Sequence, residues 1–253
     1  MKTLRAYGAV LLAANLLLTN GCASNRQDMA QSDYPQPLYP VERLVPEDLQ
    51  DAQAEIYDPF EGLNKRIYSF NYYFDRTVFL PVTNTWRRYV PYFARKGVSN
   101  FFNNIRDLRT LANSILQLAP EKAAQSAGRV LINSTVGIYG FIDVATDLDF
   151  PRPSEDFGQT LGRWGVGQGP FVMIPFLGPS NMRDGIGMIP DLVLQTEAYG
   201  GFLAKPLRST IFVFDAIDTR SQVPFRYYET GSVYEYETVR WLNSVKRDLD
   251  VAK

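Results

Sequence analysis

The chain has 253 residues, with 26 Lys and Arg against 27 Asp and Glu, giving a formal net charge of −1. A balance of that kind carries no nucleic-acid footprint. There is no histidine and a single cysteine, Cys22, which removes the usual general base, the commonest metal ligand and any internal disulfide; no cofactor is expected.

Lys2 and Arg5 form a short basic head, followed by an apolar run from Tyr7 to Leu18 broken only by Asn15, then small and polar residues ending in Gly21-Cys22. The run falls short of the roughly 20 residues that span a bilayer, so residues 1–21 read as an export signal. A lone thiol directly behind such a signal points to acylation at Cys22, with several chains (palmitate among them) giving a stable anchor. Ala23 rather than Asp follows the cysteine, the pattern of lipoproteins addressed to the outer membrane. Residues 22–57 are polar and acidic, with Pro35, Pro37, Pro40 and Pro46, and read as a flexible tether.

Asp58-Pro59-Phe60-Glu61 has the form of a helix start, with Asp58 as cap and Pro59 in the first turn. Phe60, Leu63, Ile67, Phe70 and Phe74 then mark one apolar helix face. A second helix is predicted near Val82–Val90, bounded by Pro81 and Pro91. Helical spacing continues in Phe101, Phe102, Ile105, Leu108, Ala112, Ile115 and Leu116, and again in Ala127, Val130, Leu131, Ile138, Phe141 and Ile142, with Gly137 and Gly140 placed to kink or end the latter. The polar faces of these two stretches carry few charges. Asn100, Asn103, Asn104, Asn113 and Asn133 take the positions that Lys and Glu usually fill on a solvated helix. Such a face is either buried against protein or lines a polar passage.

Gly158, Gly162, Gly165, Gly167 and Gly169 crowd the next stretch, and Phe171–Ile174 is a short strand candidate closed by Pro175 and Gly178-Pro179-Ser180, which suggests a Gly-rich loop with a small hairpin. Further helices are expected over 191–203 and 207–221, and a last one after Ser232-Val-Tyr-Glu235, a capping-box spacing. The fold class is therefore mainly α, with several amphipathic helices, and no segment after the signal has 18 unbroken apolar residues.

Four stretches together resemble the MlaA/VacJ family of outer-membrane lipoproteins: Asp58-Pro-Phe-Glu-Gly-Leu-Asn-Lys65, Asn100-Phe-Phe-Asn-Asn104, Glu155-Asp-Phe-Gly-Gln-Thr-Leu-Gly-Arg-Trp-Gly165, and Pro175-Phe-Leu-Gly-Pro-Ser180 followed by Arg183-Asp184. The resemblance covers about 58–220 and implies a ring-like body embedded in the inner leaflet of the outer membrane, on its periplasmic side. It implies passive removal of mislocalised phospholipids from the outer leaflet, keeping the membrane asymmetric. The implied partners are phospholipids, a trimeric porin and a periplasmic lipid-carrier protein. On this reading residues 58–222 are the lipid-channel domain and 223–253 a helical tail. Asn100, Asn103, Asn104 and Asn133 are candidates for the lipid passage, and Phe101, Phe102, Asp156, Phe157, Gly158 and Arg183 for holding or gating it. Two other readings stand beside it. One is an adaptor that only docks on a porin. The other is a lipid or cell-wall hydrolase using Glu155 and Asp156, although adjacent side chains point apart and make a poor acid/base pair.

Overall fold

The computed structural model describes residues 56–200, 205–229, 232 and 234–253. The signal segment, Cys22 and nearly all of the expected tether lie outside them. The described part is helical apart from one two-stranded hairpin, in line with the mainly α reading.

Helix α1 (Glu61–Phe74) runs through a π-helical stretch (Asp75–Phe79) into α2 (Leu80–Tyr89) without a break. Pro81 was expected to bound the second helix and instead sits inside its first turn. The wider turn lies directly ahead of it, where the missing N–H would interrupt an α ladder in any case. Asp58 does not cap α1, whose N-cap position is Phe60 with no side-chain cap bond. Its carboxylate accepts from Asn64 Nδ2 at 2.8 Å, from the Tyr236 hydroxyl and from Arg240 Nη1 at 3.2 Å. A cap is worth about 1 kcal/mol; a buried carboxylate shared by three donors ties the first described turn to the last helix.

Helix α3 (Tyr92–Leu116) and α4 (Pro120–Thr135) form a helical pair. Between them Leu118 takes φ 53°, while Leu118 N–H donates to the Ile115 carbonyl and Ala119 N–H to the Ser114 carbonyl, a Schellman turn with leucine where glycine is usual. The periodicity after Ala123 does not carry one helix to Ala145. α4 ends at Thr135, and a turn follows in which a Cβ on Gly137 would lie 2.2 Å from the Ile142 carbonyl oxygen, so only glycine fits. Helix α5 (Val144–Asp147) is capped by Asp143, and α6 (Phe157–Arg163) by Asp156.

Strands β1 (Phe171–Ile174) and β2 (Gly178–Asn181) pair antiparallel, Phe171 opposite Asn181 and Ile174 opposite Gly178. The free edge of β1 is met by α1 side chains. Asn64 donates to the Phe171 carbonyl (3.1 Å) and accepts from Met173 N–H (2.9 Å); Asn71 donates to the Ile174 carbonyl (3.0 Å) and accepts from Phe176 N–H (2.8 Å). Two asparagines seven residues apart thus stand in for a third strand and satisfy a backbone edge that would otherwise be left unpaired. Tyr68, Phe171, Met173, Tyr236 and Val239 pack into an apolar cluster around this junction.

Helix α7 (Met182–Gly200) follows β2 directly and holds Pro190 in its interior; it starts nine residues earlier than the periodicity indicates. α8 (Lys205–Gln222) and α9 (Glu235–Ala252) complete the chain. The expected capping box at Ser232 does not form, since the α9 N-cap is Tyr234 without a side-chain bond. Glu235 is instead drawn inward to the hydroxyl of Tyr68 and the N–H of Tyr228.

Candidate functional site

The uncharged faces noted on α3 and α4 turn inward. On α3 the buried residues after Phe102 are Asn104, Ile105, Asp107, Thr110, Asn113 and Ser114, while Ile115 and Leu116 are exposed. On α4 Ser126, Arg129 and Asn133 are buried and Leu131 is exposed. Where the two polar stripes meet, Arg129, 0% exposed, bridges the carboxylates of Asp107 (3.3 Å) and Asp143 (2.8 and 3.0 Å) and donates to the Phe150 carbonyl at 2.8 Å. Burial pushes the Asp107 carboxyl up, against the opposing pull of Arg152 and Arg129. At Asp143 burial acts in the same sense, but hydrogen bonds from Thr146 and Asn133 and the charge of Arg129 outweigh it and hold the group low. An ion pair so enclosed adds little net stability over apolar packing, but removing one partner strands the other.

A second polar network joins α3, α6, α7 and α9. Gln117 donates to Thr160 Oγ1 (3.0 Å), Thr160 to Asn113 Oδ1 (2.9 Å), and Asn113 to Asp191 (3.0 Å), which also accepts from Phe157 N–H (2.9 Å). Asp156 caps α6 through Gln159 N–H at 2.8 Å. Arg247 of α9 donates to both Asp156 oxygens (2.7 and 2.8 Å) and to Asp184 (2.6 Å), and Arg183 holds Asp184 at 2.8 Å. Burial alone would raise the Asp156 carboxyl; the hydrogen bonds and charge of Arg247, with those of Gln159, hold it at about 2. Gly158 packs closely against α7, where a Cβ would come within 2.4 Å of Asp184 Oδ1.

Beside this network is a cavity of about 360 Å³. Its lining mixes apolar Leu177, Pro179, Met188 and Leu192 with polar Ser180, Gln195 and Asn243, the cations Arg109, Lys246 and Arg247, and the carboxylates of Asp156, Asp184 and Asp191.

The sequence candidates separate in space. Asp156 and Gly158 line the cavity, and Arg183 and Phe157 support it through Asp184 and Asp191. Asn100 donates to the Phe141 carbonyl at 3.1 Å, Asn103 accepts from Arg106 at 2.8 Å, and Asn104 donates to Ser134 at 3.0 Å. Asn133 donates to Asp143 and accepts from Ala145 N–H, both at 2.9 Å. These four asparagines do not border the cavity. Phe102 is buried against Tyr199 and Ile105, with Phe101 partly buried beside them. Arg109, Asn243 and Arg247 were not singled out from the sequence. The only signal for Arg109 was its place among the three charges between Val98 and Ala119, with Arg106 and Asp107, and nothing in the order of residues brings 243 and 247 to 156.

A family model described as MlaA lipoprotein matches residues 56–249. The chain is 36% identical over 171 residues to the proteins named intermembrane phospholipid transport system lipoprotein MlaA of Shigella flexneri and Escherichia coli (strain K12). Each match spans 66% of this chain and 66% of the relative, just under two thirds of its length. The protein of that name from Haemophilus influenzae is 31% identical over 172 residues, 67% of this chain and 68% of its own. A solved structure described as "Structural basis for maintenance of bacterial outer membrane lipid asymmetry" superposes with a TM-score of 0.65 at 32% identity, covering 77% of this chain and 98% of that one.

Proposed function

This chain belongs to the MlaA lipoprotein family, and from that footing we propose that it moves phospholipids at the bacterial outer membrane, withdrawing those misplaced in the outer leaflet and so maintaining lipid asymmetry. One observation carries the reading. Among the described residues, 27 buried residues are polar or charged and 9 are hydrophobic, while 38 large hydrophobic side chains are exposed. A water-soluble domain buries its apolar residues and pairs or exposes its charges, and exposed apolar surface on that scale marks a membrane or partner contact. No helix among the described residues is long and apolar enough to cross a bilayer, so a body seated in one leaflet fits better than a spanning one.

In this reading acyl chains on Cys22 hold the chain to the membrane, the exposed apolar side chains contact lipid tails, and the polar interior offers a headgroup a route that hydrocarbon would deny it. Asn104 keeps an Oδ1 that is buried without a partner, an acceptor still open among the four asparagines proposed for the passage. A trimeric porin would brace the body, and a periplasmic carrier would collect the lipid. The reaction is transfer without bond making; purified protein should release neither fatty acid nor lysolipid from phospholipid. The test is outer-leaflet phospholipid in cells with and without the gene. A rise on deletion, reversed by the wild-type chain, supports transport. Unchanged asymmetry with the porin still present would replace transport by the adaptor role.

A further inference from the structure

Two donors of residues that line the cavity lack a hydrogen-bond partner. The Arg109 guanidinium makes no hydrogen bond among the described residues, and its Nε is buried; the Asn243 Nδ2 is likewise buried without a partner. A lost partner for a buried donor is costly, and more so when the donor is charged. The three carboxylates of the lining already serve other donors. Asp156 is held by Arg247, Asp184 by Arg183 and Arg247, and Asp191 by Asn113 and the Phe157 N–H. The Arg109 charge acts on Asp191, yet no acceptor stands within hydrogen-bonding distance of Arg109 Nε or Asn243 Nδ2, and a bound ligand would supply one. Leu177, Pro179, Met188 and Leu192 also line the space, and a free inorganic anion would leave them in contact with nothing. At about 360 Å³ the space is at the small end of ligand sites, roughly 300–1,000 Å³. It suits a headgroup with the start of a chain rather than a whole diacyl lipid.

We propose that this cavity is a phospholipid headgroup subsite, in which Arg109 and Asn243 grip the phosphodiester oxygens and the apolar lining residues receive the first carbons of an acyl chain. The assignment rests on the lipid-transport reading and names where on the route the headgroup pauses. Arg109 is the specificity-determining residue: a guanidinium presents paired donors to phosphate, and each lining carboxylate already serves another donor. The subsite recognises the phosphate and is indifferent to the alcohol beyond it.

The experiment uses the full lipoprotein in neutral detergent, titrated with dihexanoyl-phosphatidylglycerol, with dihexanoylglycerol as the same amphiphile without phosphate, and with inorganic phosphate. The short-chain phospholipid should saturate one site and bind more tightly than either control. Arg109→Gln should weaken it by roughly ten- to a hundredfold, the worth of a lost charge-assisted hydrogen bond, with Arg109→Lys intermediate. Asn243→Ala should weaken it less, and because Asn243 is uncharged this second variant also guards against misfolding of the first. Equal binding of dihexanoylglycerol, or binding unchanged in both Arg109→Gln and Asn243→Ala, overturns the subsite. Inorganic phosphate binding as tightly as the lipid reassigns the cavity to a free anion and overturns it too. Outer-leaflet phospholipid in deletion cells is measured alongside. If deletion raises it while both variants bind normally, transport stands and only this subsite falls.

Discussion

Arg247, six residues from the end of the chain, donates hydrogen bonds of 2.7 and 2.8 Å to the carboxylate of Asp156, 91 residues earlier. The bond ties α9 to the cap of α6, and Asp184 shares the same guanidinium. The final helix is thereby part of the wall of the cavity and not an appendage.

Replacing that arginine should release the pair. Arg247→Met leaves Asp156 and Asp184 short of a cation and should cost about 3–5 kcal/mol at pH 7. Asp156 titrates at about 2 in the folded chain, below its ordinary 3.8. Its contribution is therefore present above about pH 4 and lost as pH falls through 2, at about 2 kcal/mol in all. Urea unfolding in detergent at pH 7 and pH 2.5 should show the variant losing less than the wild type on acidification. Parallel losses would show that the pair does not govern the acid limb.

The two phenylalanines of the Asn100–Asn104 stretch should behave differently. Phe102 is enclosed by Tyr199 and Ile105, whereas Phe101 is only partly buried. Phe102→Ala should cost about 3–5 kcal/mol and Phe101→Ala clearly less. Deleting Asn103 and Asn104 together would turn the rest of α3 by about 200° and carry Asp107 away from Arg129, so it should disturb outer-leaflet phospholipid while Asn103→Ala does not. Lipid profiles of the three strains, at matched protein levels, decide this.

Leu118 is 88% exposed at φ 53°. Glycine would relieve roughly 1 kcal/mol of backbone strain there, so Leu118→Gly should raise the thermal midpoint in detergent. If the leucine is kept for lipid contact, the same variant should bind vesicles more weakly. A variant that is more stable and binds equally well would remove Leu118 from the membrane contact.

Cys22→Ala should abolish labelling by a palmitate analogue, since Cys22 is the only thiol. With so many apolar side chains exposed on the body, some of the unacylated protein should still sediment with membranes. Complete release to the soluble fraction would make the acyl chains the whole of the attachment.

Local patterns told most of the fold. The stripe Leu63, Ile67, Phe70 and Phe74 announced α1, and Phe171–Ile174 with its closing Pro175 announced the hairpin. The scarcity of charge on α3 and α4 flagged faces that are not solvated, without deciding between burial and passage; Asp107, Arg129 and Asn113 on those faces are buried. What stayed hidden was long-range pairing. Asp58 reads as a cap because its partners Tyr236 and Arg240 lie 178 and 182 residues away. Leu118 gave no turn signal, because its left-handed backbone is imposed by the Schellman hydrogen bonds and not by glycine. The cavity drew on five elements, and the pattern within any one of them contains no trace of it.

The excess of polar over apolar burial should also be visible in calorimetry. Exposing apolar surface raises the heat capacity and exposing polar surface lowers it. A chain whose interior is built from Asp107, Arg129, Asn133, Asp184 and their neighbours should therefore unfold with an increment well below the ~12–15 cal/mol/K per residue of ordinary globular proteins. Its free energy of unfolding would then vary nearly linearly with temperature, with cold denaturation displaced far below the range of growth.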